Sequence, residues 1–434
     1  MNMTTDFVNR RLIFAEAMAS GIAIIPTAKE AVRNRDAHFP YRFDSYFYYL
    51  TGFMEPESVV VITGGASSRS ILFCRAKNEE KEIWDGFRQG PESAKKLFQF
   101  DDAYPMDEID RVLPQLIENK DTIYTPLGVN TQWDTKMMGW LNQTRSRARE
   151  GIEAPASLVD AREILDEMRL IKDPRELETM RKAAAISAGA HVNAMTKTKP
   201  EKYEYQIEAE FLYHFKKNGS QFPAYTSIVA GGKNACVLHY AENNSLLNKG
   251  DLLLIDAGCE LNGYASDITR TFPVSGKFSG PQKAIYELVL EAQTAAINAT
   301  CAGNSWQAPH DAAVEVLAQG FIDLKLCHGS LDKVIEQKDY TKYYMHRTGH
   351  WLGMDVHDVG NYKIDGQWRT LEPGMVLTIE PGCYIRSAPD VPEHFWDIGV
   401  RIEDDAIIKQ DNGCEIITSG APKTISEIES LMVS

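Results

Sequence analysis

Acidic residues stand at the ends of three aliphatic runs in the second half of the chain. The runs are Leu252-Leu-Leu-Ile-Asp256, Val376-Leu-Thr-Ile-Glu380 and Val400-Arg-Ile-Glu403. A fourth carboxylate, Asp267, follows the first run after Leu261-Asn-Gly263, which is a strong hairpin signal. The two acids of this hairpin share one face, directly opposite each other if the turn centres on residues 261–262 and diagonal if it centres on 262–263. Like charges this close destabilise a sheet unless another group compensates them.

Histidines cluster between these acidic strand ends. His346, His350 and His357 fall within twelve residues, and His239 lies upstream. Three histidines in so short a stretch favour a functional site over isolated core or surface residues. Four carboxylates with an imidazole and no thiolate are typical ligands for Mn, Mg, Co or Zn. Two divalent ions would cancel the carboxylate charges, and a site with two metal ions activates water and stabilises a tetrahedral oxyanion.

The composition limits the classes of partner. The 434 residues carry 46 Lys and Arg against 61 Asp and Glu, a formal charge of −15. This surplus argues against nucleic acid and anionic membranes as partners, because both attract basic patches. We expect neither a signal peptide nor a membrane span, since the apolar runs are too short for either. The seven scattered cysteines, outside any Cys-x-x-Cys pair, predict a reduced, cytoplasmic location.

The first 150 or so residues alternate helix-like and strand-like segments, which predicts a small α/β domain. Helical spacing predicts a helix over 5–20 that stops at Gly21. Short β-branched or aromatic runs bounded by turn residues predict strands at 22–25, 46–51, 59–63 and 70–74.

A domain boundary is expected after residue 172. Asp173-Pro-Arg-Glu176 has the features of a helix start, with Asp at the N-cap, Pro at the first helical position and Glu three residues after the cap. The order helix, strands, helices, strands then predicts an α+β domain over 173–434. Helices are expected at 281–299 and 310–324, and strands at 227–230, 252–257, 269–274, 375–380, 399–403, 406–409 and 415–418.

The acids and histidines together resemble a known family. Asp256, Asp267, His350, Glu380 and Glu403 match, in order and local sequence, the five metal ligands of the pita-bread metallopeptidases of family M24. The family includes methionine aminopeptidase, prolidase and Xaa-Pro aminopeptidase. The matching segments are Ile255-Asp-Ala-Gly258, Ser266-Asp-Ile-Thr-Arg-Thr271, Gly349-His-Trp-Leu-Gly353, Val356-His-Asp-Val-Gly360, Ile379-Glu-Pro-Gly382 and Gly399-Val-Arg-Ile-Glu-Asp404. The resemblance implies a catalytic pita-bread domain over 173–434.

Motifs in the first region resemble the N-terminal domain of the bacterial Xaa-Pro aminopeptidases. They are Pro40-Tyr-Arg42, Thr51-Gly-Phe53 and Glu55-Pro-Glu57. The resemblance implies that residues 1–172 form a smaller α/β domain, which serves oligomerisation and the pocket rim. It further implies a hydrolase that releases the N-terminal residue from peptides with proline in second position. Such an enzyme would use two manganese ions and a metal-bridging hydroxide, and would form a homo-oligomer, either a dimer or a tetramer.

The resemblance assigns a role to each metal ligand. Asp256 would chelate one ion, and His350 would bind the second ion alone. Asp267 and Glu403 would bridge both ions. Glu380 would bind metal and also carry a proton from the attacking hydroxide to the leaving nitrogen.

Histidines and aromatic residues would line the substrate pocket in this resemblance. His357 and His239 would contact the scissile carbonyl and the oxyanion that forms from it, and His346 would lie near the proline. Tyr225 and Trp351 would supply the apolar wall that a prolyl ring requires. Trp351 has the alternative interpretation of a core aromatic residue.

Other residues would support the ligands or come from another subunit. Arg401 and Tyr384 would hold ligands in place, although Tyr384 could alternatively be a core aromatic residue. Asp36 of the first domain would pair with Arg401. Trp84 resembles a tryptophan that a neighbouring subunit lends to the pocket.

Two departures from the family pattern affect the pocket rim. Phe43-Asp44 stands where Gln-Asn is expected, and Arg347-Thr348-Gly349 precedes the ligand histidine where smaller or different residues are usual. Two alternative functions stay open. One is an Xaa-Pro dipeptidase, which shares every ligand but acts on free dipeptides. The other is a relative without peptidase activity, such as a creatinase-type enzyme or a peptide-binding pseudoenzyme. Relatives of that second kind have lost metal ligands, whereas all five positions are intact here.

Overall fold

The computed structural model describes residues 3–65 and 67–433. The chain divides into two compact units, Met1–Met168 and Arg169–Ser434. This division falls slightly before the boundary that we expected after residue 172. Within the described ranges, no helix combines the length and the apolar character needed to cross a membrane.

Helices and strands alternate along the first unit. In chain order its elements are α1 (Met3–Ala17), β1 (Ile22–Pro26), β2 (Val32–Asn34), β3 (Ala37–His38), α2 (Ser45–Thr51), β4 (Val59–Thr63), β5 (Ser70–Cys74), α3 (Glu79–Asp85), α4 (Pro91–Phe98), β6 (Asp102–Pro105), α5 (Ile109–Leu116), β7 (Thr122–Thr125), α6 (Thr131–Ser146), β8 (Ser157–Asp160) and α7 (Arg162–Leu170). A mixed sheet has the strand order β6-β5-β4-β1-β7-β8, with β1 antiparallel to β4 and parallel to β7. The apolar side chains of β1, β4 and β5 are buried, which explains their near-continuous aliphatic sequences.

The expected strand at 46–51 is wrong, because these residues form helix α2. Asp44 caps the helix by accepting a hydrogen bond from the Phe47 amide at 2.9 Å. Gly52 ends the helix in the left-handed conformation, with a φ of 67°. The aromatic composition favours a strand locally, but an N-cap and a C-terminal glycine at this spacing fix a helical segment.

The second unit contains longer helices and short antiparallel strands. In chain order its elements are α8 (Pro174–Lys197), α9 (Glu204–Lys217), β9 (Phe222–Pro223), β10 (Ile228–Gly231), β11 (Leu252–Asp256), β12 (Cys259–Leu261), β13 (Tyr264–Ala265), β14 (Thr269–Pro273), α10 (Gly280–Ala299), α11 (Ala308–Asp323), α12 (Leu331–Glu336), β15 (Lys363–Ile364), β16 (Gln367–Trp368), β17 (Val376–Ile379), β18 (Gly382–Ile385), β19 (Ile398–Arg401), β20 (Asp404–Ile408), β21 (Cys414–Ile416) and α13 (Ile425–Val433). The sequence did not predict α9, whose N-cap is Tyr203 and not the Asp, Asn, Ser or Thr that usually indicates a helix start.

The strands next to the acidic residues of the second unit belong to small antiparallel sheets. The sheets have the orders β10-β11-β14, β17-β20-β21 and β18-β19. Buried side chains from α8, α10 and α11 pack against those of β11, β14 and β19 in one large apolar core. The predicted helix start at Asp173 is confirmed, because its side chain and that of Glu176 form a reciprocal capping box. The sheets therefore have a rigid backing, and their strand ends are held in fixed positions.

Candidate active site

The hairpin between β11 and β14 positions the first two acids. Leu261 pairs with Tyr264 across a two-residue turn, in which Asn262 and Gly263 have φ angles of 51° and 82°. Two positive φ angles are the signature of a type I′ turn, which suits the right-handed twist of the strands. Asp256 consequently pairs with Thr269, so Asp267 lies diagonally across from Asp256. This is the register in which the turn centres on residues 262–263.

Glycine permits a close chain crossing inside this hairpin. A Cβ atom at Gly258 would lie 1.7 Å from the carbonyl oxygen of Ser266. Because no side chain fits that gap, only glycine allows the two chain segments to approach. The crossing lies between Asp256 and Asp267 in sequence, and it draws these two ligands together.

The pairing of β17 with β20 positions the two glutamates. Ile379 pairs with Asp404 in antiparallel register. Glu380 follows the first of these residues and Glu403 precedes the second, so the glutamates occupy the next position of the same register. Both acidic side chains are largely enclosed, and Glu403 is only 2% exposed.

His350 lies between the acids of the two sheets. Its backbone amide donates to Thr378 Oγ1 at 3.1 Å, and its carbonyl accepts from the Thr378 amide at 3.0 Å. The Nδ1 atom lies 2.9 Å from the carbonyl oxygen of Trp351, so Nδ1 carries a proton. The other ring nitrogen, Nε2, lies 3.4 Å from Asp267 Oδ2 and 3.6 Å from Glu380 Oε1. Fixing the tautomer in this way aims Nε2 at the carboxylates.

The four carboxylates repel one another in an enclosed space. Burial raises the pKa of Asp256 to about 6, although the charge of Arg401 opposes this shift. Burial also raises the pKa of Glu380 to about 7 and that of Glu403 well above its ordinary range, and the neighbouring acids add to both shifts. For Asp267 the hydrogen bond and charge of His350 outweigh burial, and its pKa is lowered. The cluster therefore has more negative charge than its own cations neutralise.

These residues form a suitable site for divalent cations. Ligand atoms of Asp267, His350 and Glu403 all lie within 4.8 Å of one another. Although burial alone would lower the pKa of His350, Asp267 and Glu380 raise it to about 9. Without a metal ion, Nε2 of His350 therefore holds a proton. A metal ion would replace this proton, because it binds through the lone pair of the same nitrogen. Oxygen-rich donors with one imidazole and an unmet negative charge fit hard or borderline divalent ions.

Arg401 connects one ligand to a tyrosine and a histidine. Its guanidinium donates to Asp256 Oδ2 at 2.6 Å and to the Tyr384 hydroxyl at 3.0 Å. The Nδ1 atom of His346 lies 2.7 Å from the carbonyl oxygen of Arg347, so this nitrogen must be the donor. Burial lowers the pKa of His346 to about 3, with the nearby Arg401 charge contributing. His346 is consequently neutral, and its Nε2 accepts the Tyr384 proton at 2.9 Å.

A single cavity of about 1060 Å³ holds this cluster and several of the predicted catalytic residues. His239, His346 and His357 line it together with Glu380 and the other metal-ligand candidates. The rings of His350 and His357 meet edge to face, with centroids 4.3 Å apart. Burial and the charge of His350 lower the pKa of His357, which favours a neutral imidazole that can donate a hydrogen bond.

Of the two aromatic residues predicted to line the pocket, Tyr225 does so and Trp351 does not. The Tyr225 hydroxyl lies 2.5 Å from Asp256 Oδ1 and also contacts Asp267, so this tyrosine bridges two ligands at the base of the cavity. Trp351 is fully buried and lies outside the cavity lining, which corrects the expected pocket position. It packs behind the wall against Trp306 and Tyr362, whose side chains do line the cavity. The alternative of a core aromatic residue therefore describes Trp351.

Two predicted residues belong to the first unit. Asp36 is exposed in the turn between β2 and β3. Trp84 lies on α3 with 84% of its surface exposed. The pairing of Asp36 with Arg401 and the transfer of Trp84 to another subunit stay predictions.

Sequence reasoning missed two supporting residues. Thr269 donates to Glu403 Oε2 at 2.5 Å and accepts from Arg401 Nε at 3.0 Å. Asp405 accepts a hydrogen bond from the Asp267 amide at 3.1 Å. The sequence could have indicated both residues. Thr269 lies opposite Asp256 in the correct hairpin register. Asp405 is two residues after Glu403, so its side chain is expected on the same face of an extended chain.

Family models match both units of the chain. Residues 178–410 match metallopeptidase family M24. Residues 7–124 match the aminopeptidase P N-terminal domain. The M24 match covers more than half of the sequence and includes all five metal-ligand candidates.

Individual relatives match nearly the whole chain. An Xaa-Pro aminopeptidase of Haemophilus influenzae is 44% identical over 98% of this chain and 97% of its own. The structure of the Pseudomonas aeruginosa aminopeptidase PepP is 48% identical, with a TM-score of 0.98 and coverage of 100% of this chain and 98% of that one. A zinc-substituted Escherichia coli aminopeptidase P in complex with product is 41% identical, with a TM-score of 0.97 over 100% of this chain and 98% of that one.

Proposed function

The chain belongs to metallopeptidase family M24 and is an Xaa-Pro aminopeptidase, and from this premise we propose how its residues carry out the reaction. The expected architecture, a small α/β domain followed by a pita-bread domain, is confirmed by the family and structural matches. The reaction is hydrolysis of the peptide bond between an N-terminal residue and a following proline. The cluster of four enclosed carboxylates around His350 is the observation that carries the proposed mechanism.

We propose that Asp256, Asp267, His350, Glu380 and Glu403 hold two divalent ions, with manganese as the natural metal. The donor chemistry and the unmet negative charge of the cluster support two ions rather than one. Divalent ions in such a site supply Lewis-acid chemistry, which activates water and polarises a carbonyl group. Arg401 and Thr269 keep the ligand oxygens oriented through the hydrogen bonds described above.

Glu380 is positioned to move a proton. One of its oxygens accepts from Thr378 Oγ1 at 3.2 Å, and the other lies 3.9 Å from His346 Nδ1. We assign it as the group that takes a proton from the attacking water and gives it to the prolyl nitrogen. The C–N bond then breaks, and the proline-containing product leaves with a secondary amine.

Histidines are positioned to bind the reacting carbonyl. His239 and His357 both reach the cavity surface beside the acidic cluster. A neutral imidazole with a free N–H can donate to the carbonyl oxygen as negative charge develops on it. His346 lines the same cavity, but both of its ring nitrogens are engaged, with the Arg347 carbonyl and the Tyr384 hydroxyl, so we assign it to the pocket wall rather than to the carbonyl oxygen.

The alternative activity, an Xaa-Pro dipeptidase, would use the same ligands. We propose that the protein prefers longer peptides, in line with its aminopeptidase P N-terminal domain. The test compares turnover of an Xaa-Pro dipeptide with that of the corresponding Xaa-Pro-Xaa tripeptide, with metal analysis on the same sample. Faster cleavage of the tripeptide is expected, and activity confined to the dipeptide would refute the proposal.

Metal removal tests the site itself. Chelation should abolish hydrolysis, and Mn²⁺ should restore it with two ions bound per chain. The same experiment examines the non-catalytic alternative, because a peptide-binding pseudoenzyme would hydrolyse nothing in either state. Unchanged hydrolysis after complete metal removal would contradict the ligand assignment.

Assembly and location are further proposals. We propose a homo-oligomer in which Trp84 reaches the pocket of a neighbouring subunit, supported by the exposed apolar side chains Ile83, Trp84 and Phe87. A molar mass of one chain in light scattering would refute it. We also propose a cytoplasmic location, supported by seven cysteines that are all free. Fractionation of the producing cells would test that location directly.

A further inference from the structure

Two basic side chains meet one tryptophan at the mouth of the catalytic cavity. Arg347, Lys363 and Trp368 all line the cavity that contains the metal-ligand candidates. The Lys363 ammonium lies 4.4 Å from the centre of the Trp368 ring, and the Arg347 guanidinium lies 4.8 Å from it. We call these three side chains the basic rim.

The hairpin of β15 and β16 explains the basic rim. Its sequence, Lys363-Ile-Asp-Gly-Gln-Trp368, contains an Asp-Gly pair with φ angles of 50° and 78°, a type I′ turn. Lys363 therefore pairs directly with Trp368, and cross-strand partners place their side chains on the same face. The ring thus fixes the position of the ammonium group by a cation–π contact.

Arg347 is fixed from a different segment. Its guanidinium donates to Gln307 Oε1 at 2.6 Å, and the amide of Gln307 donates to Asp311 at 2.7 Å. Across the described ranges 3–65 and 67–433, neither Arg347 nor Lys363 forms an ion pair with a carboxylate. Two oriented cations without an anionic partner form a ready site for an anion.

Charge is distributed unequally along the depth of the cavity. The metal-ligand acids Asp267 and Glu403 are buried at its base, whereas Arg347 and Lys363 are exposed at its opening. A peptide has the matching polarity, with an ammonium group at one end and a carboxylate at the other. Cleavage at the base places the N-terminal residue there, so the rest of the peptide extends from the proline toward the opening.

We propose that the basic rim is a subsite that binds the free C-terminal carboxylate of short Xaa-Pro peptides. This inference rests on the proposed function and adds to it a substrate class, namely peptides of three or four residues with an unblocked C-terminus. Arg347 and Lys363 donate to the carboxylate, and Trp368 keeps both donors in place. The rim acts on substrate binding and leaves the reacting groups unchanged.

The test uses matched peptides that differ only in charge. Gly-Pro-Ala with a free carboxylate is compared with Gly-Pro-Ala amide, using the manganese-loaded enzyme. The wild-type enzyme should show a KM about tenfold lower for the free acid, with similar kcat values. The double variant R347Q/K363Q should lose this preference, while its KM for the amide stays the same. K363R should retain the preference, and K283Q, an exposed lysine on α10, is the matched control.

The possible failures are distinguishable. Equal KM values for the two peptides in the wild-type enzyme would overturn the subsite but leave the aminopeptidase activity established. A double variant that weakens acid and amide alike would also overturn it, because the basic rim would then have only a structural role. If neither peptide is cleaved by the metal-loaded enzyme, the proposed function itself fails. The acid preference should also decline as salt concentration rises.

Discussion

Arg401 donates a hydrogen bond to Asp256 at 2.6 Å, and both side chains are shielded from solvent. The contact joins the end of β19 to the end of β11, which belong to different sheets. A paired arginine keeps a buried carboxylate ionised, and an ionised carboxylate is what a metal ligand requires. The contact therefore couples the relative position of the two sheets to the ionisation and orientation of a metal-ligand candidate.

Replacing Arg401 with methionine should weaken metal binding by about 10- to 100-fold, because Asp256 would lose its orienting partner. Competition with a chromophoric chelator gives the affinity directly. Arg181→Met is a suitable control, since Arg181 pairs with Glu415 at 2.6 Å on the surface of the same unit. Equal metal affinity in the two variants would contradict the role given to Arg401.

Glu380→Gln should lower kcat between about 100- and 10,000-fold, since an amide cannot accept and return a proton. The glutamine side chain has nearly the shape of glutamate, so the circular dichroism spectrum and the melting temperature of the metal-free protein should change little. Metal content must be measured alongside kinetics, because Glu380 is also a ligand candidate. A variant that binds two ions and still turns over at the wild-type rate would remove the proton-transfer role.

Gly349→Ala should displace His350 and destabilise the site. A Cβ atom at this position would lie 2.0 Å from the Thr378 carbonyl oxygen. Because Thr378 also bonds the backbone of His350, the clash must shift the ligand; crowding of this kind costs about 1–3 kcal/mol. Thermal melting and metal titration both report the effect. Gly280→Ala is the matched control, as no atom lies within 4 Å of its Cβ position.

His191 predicts acid sensitivity of folding. Burial, aided by the charge of Arg270, lowers its pKa to about 3 in the folded protein, against about 6.5 in an unfolded chain. Between these pH values the unfolded state binds more protons, so the free energy of unfolding falls as the pH falls. From pH 7 to pH 5 this single group should remove about 2 kcal/mol of stability.

Denaturant titrations of metal-free protein at pH 7 and pH 5 measure that loss. The comparison is between the wild type and His191→Gln, whose amide can still donate to the Ala257 carbonyl that His191 contacts at 3.0 Å. Between pH 7 and pH 5 the free energy of unfolding of the variant should fall by about 2 kcal/mol less than that of the wild type. His328→Gln, at an exposed histidine, controls for removal of an imidazole. Identical pH dependence in wild type and His191→Gln would show that His191 does not couple to folding.

Local sequence determined much of the site. The aliphatic runs that lead to Asp256, Glu380 and Glu403 are predictable because buried strands require apolar side chains, and each acid lies where a strand ends or, for Glu403, directly before the next one begins. The register of the Asp256 hairpin was left between two choices, and Asn262-Gly263 decides it through its type I′ geometry. These features depend on neighbours in sequence, so a sequence pattern is sufficient to locate them.

Features that depend on packing between distant segments were not predictable. Trp351 borders the ligand histidine in sequence, yet its indole turns into a core formed with Trp306 and Tyr362. Helix α2 has the aromatic composition of a strand, and its caps override that preference. Arg347 was noted only as a departure from the family pattern, and its neighbour Trp368 becomes apparent only through tertiary structure.

The ligand candidates come from chain segments that lie far apart in sequence, among them the end of β11, the residue directly after β17 and the segment between β19 and β20. An ion can obtain its full set of ligands only after these sheets have assembled, so metal capture should be a late event in folding. Interactions that form late slow unfolding more than they accelerate folding. Bound metal should therefore lower the unfolding rate and so lengthen the lifetime of the native state. The refolding rate of the metal-free chain should stay nearly unchanged.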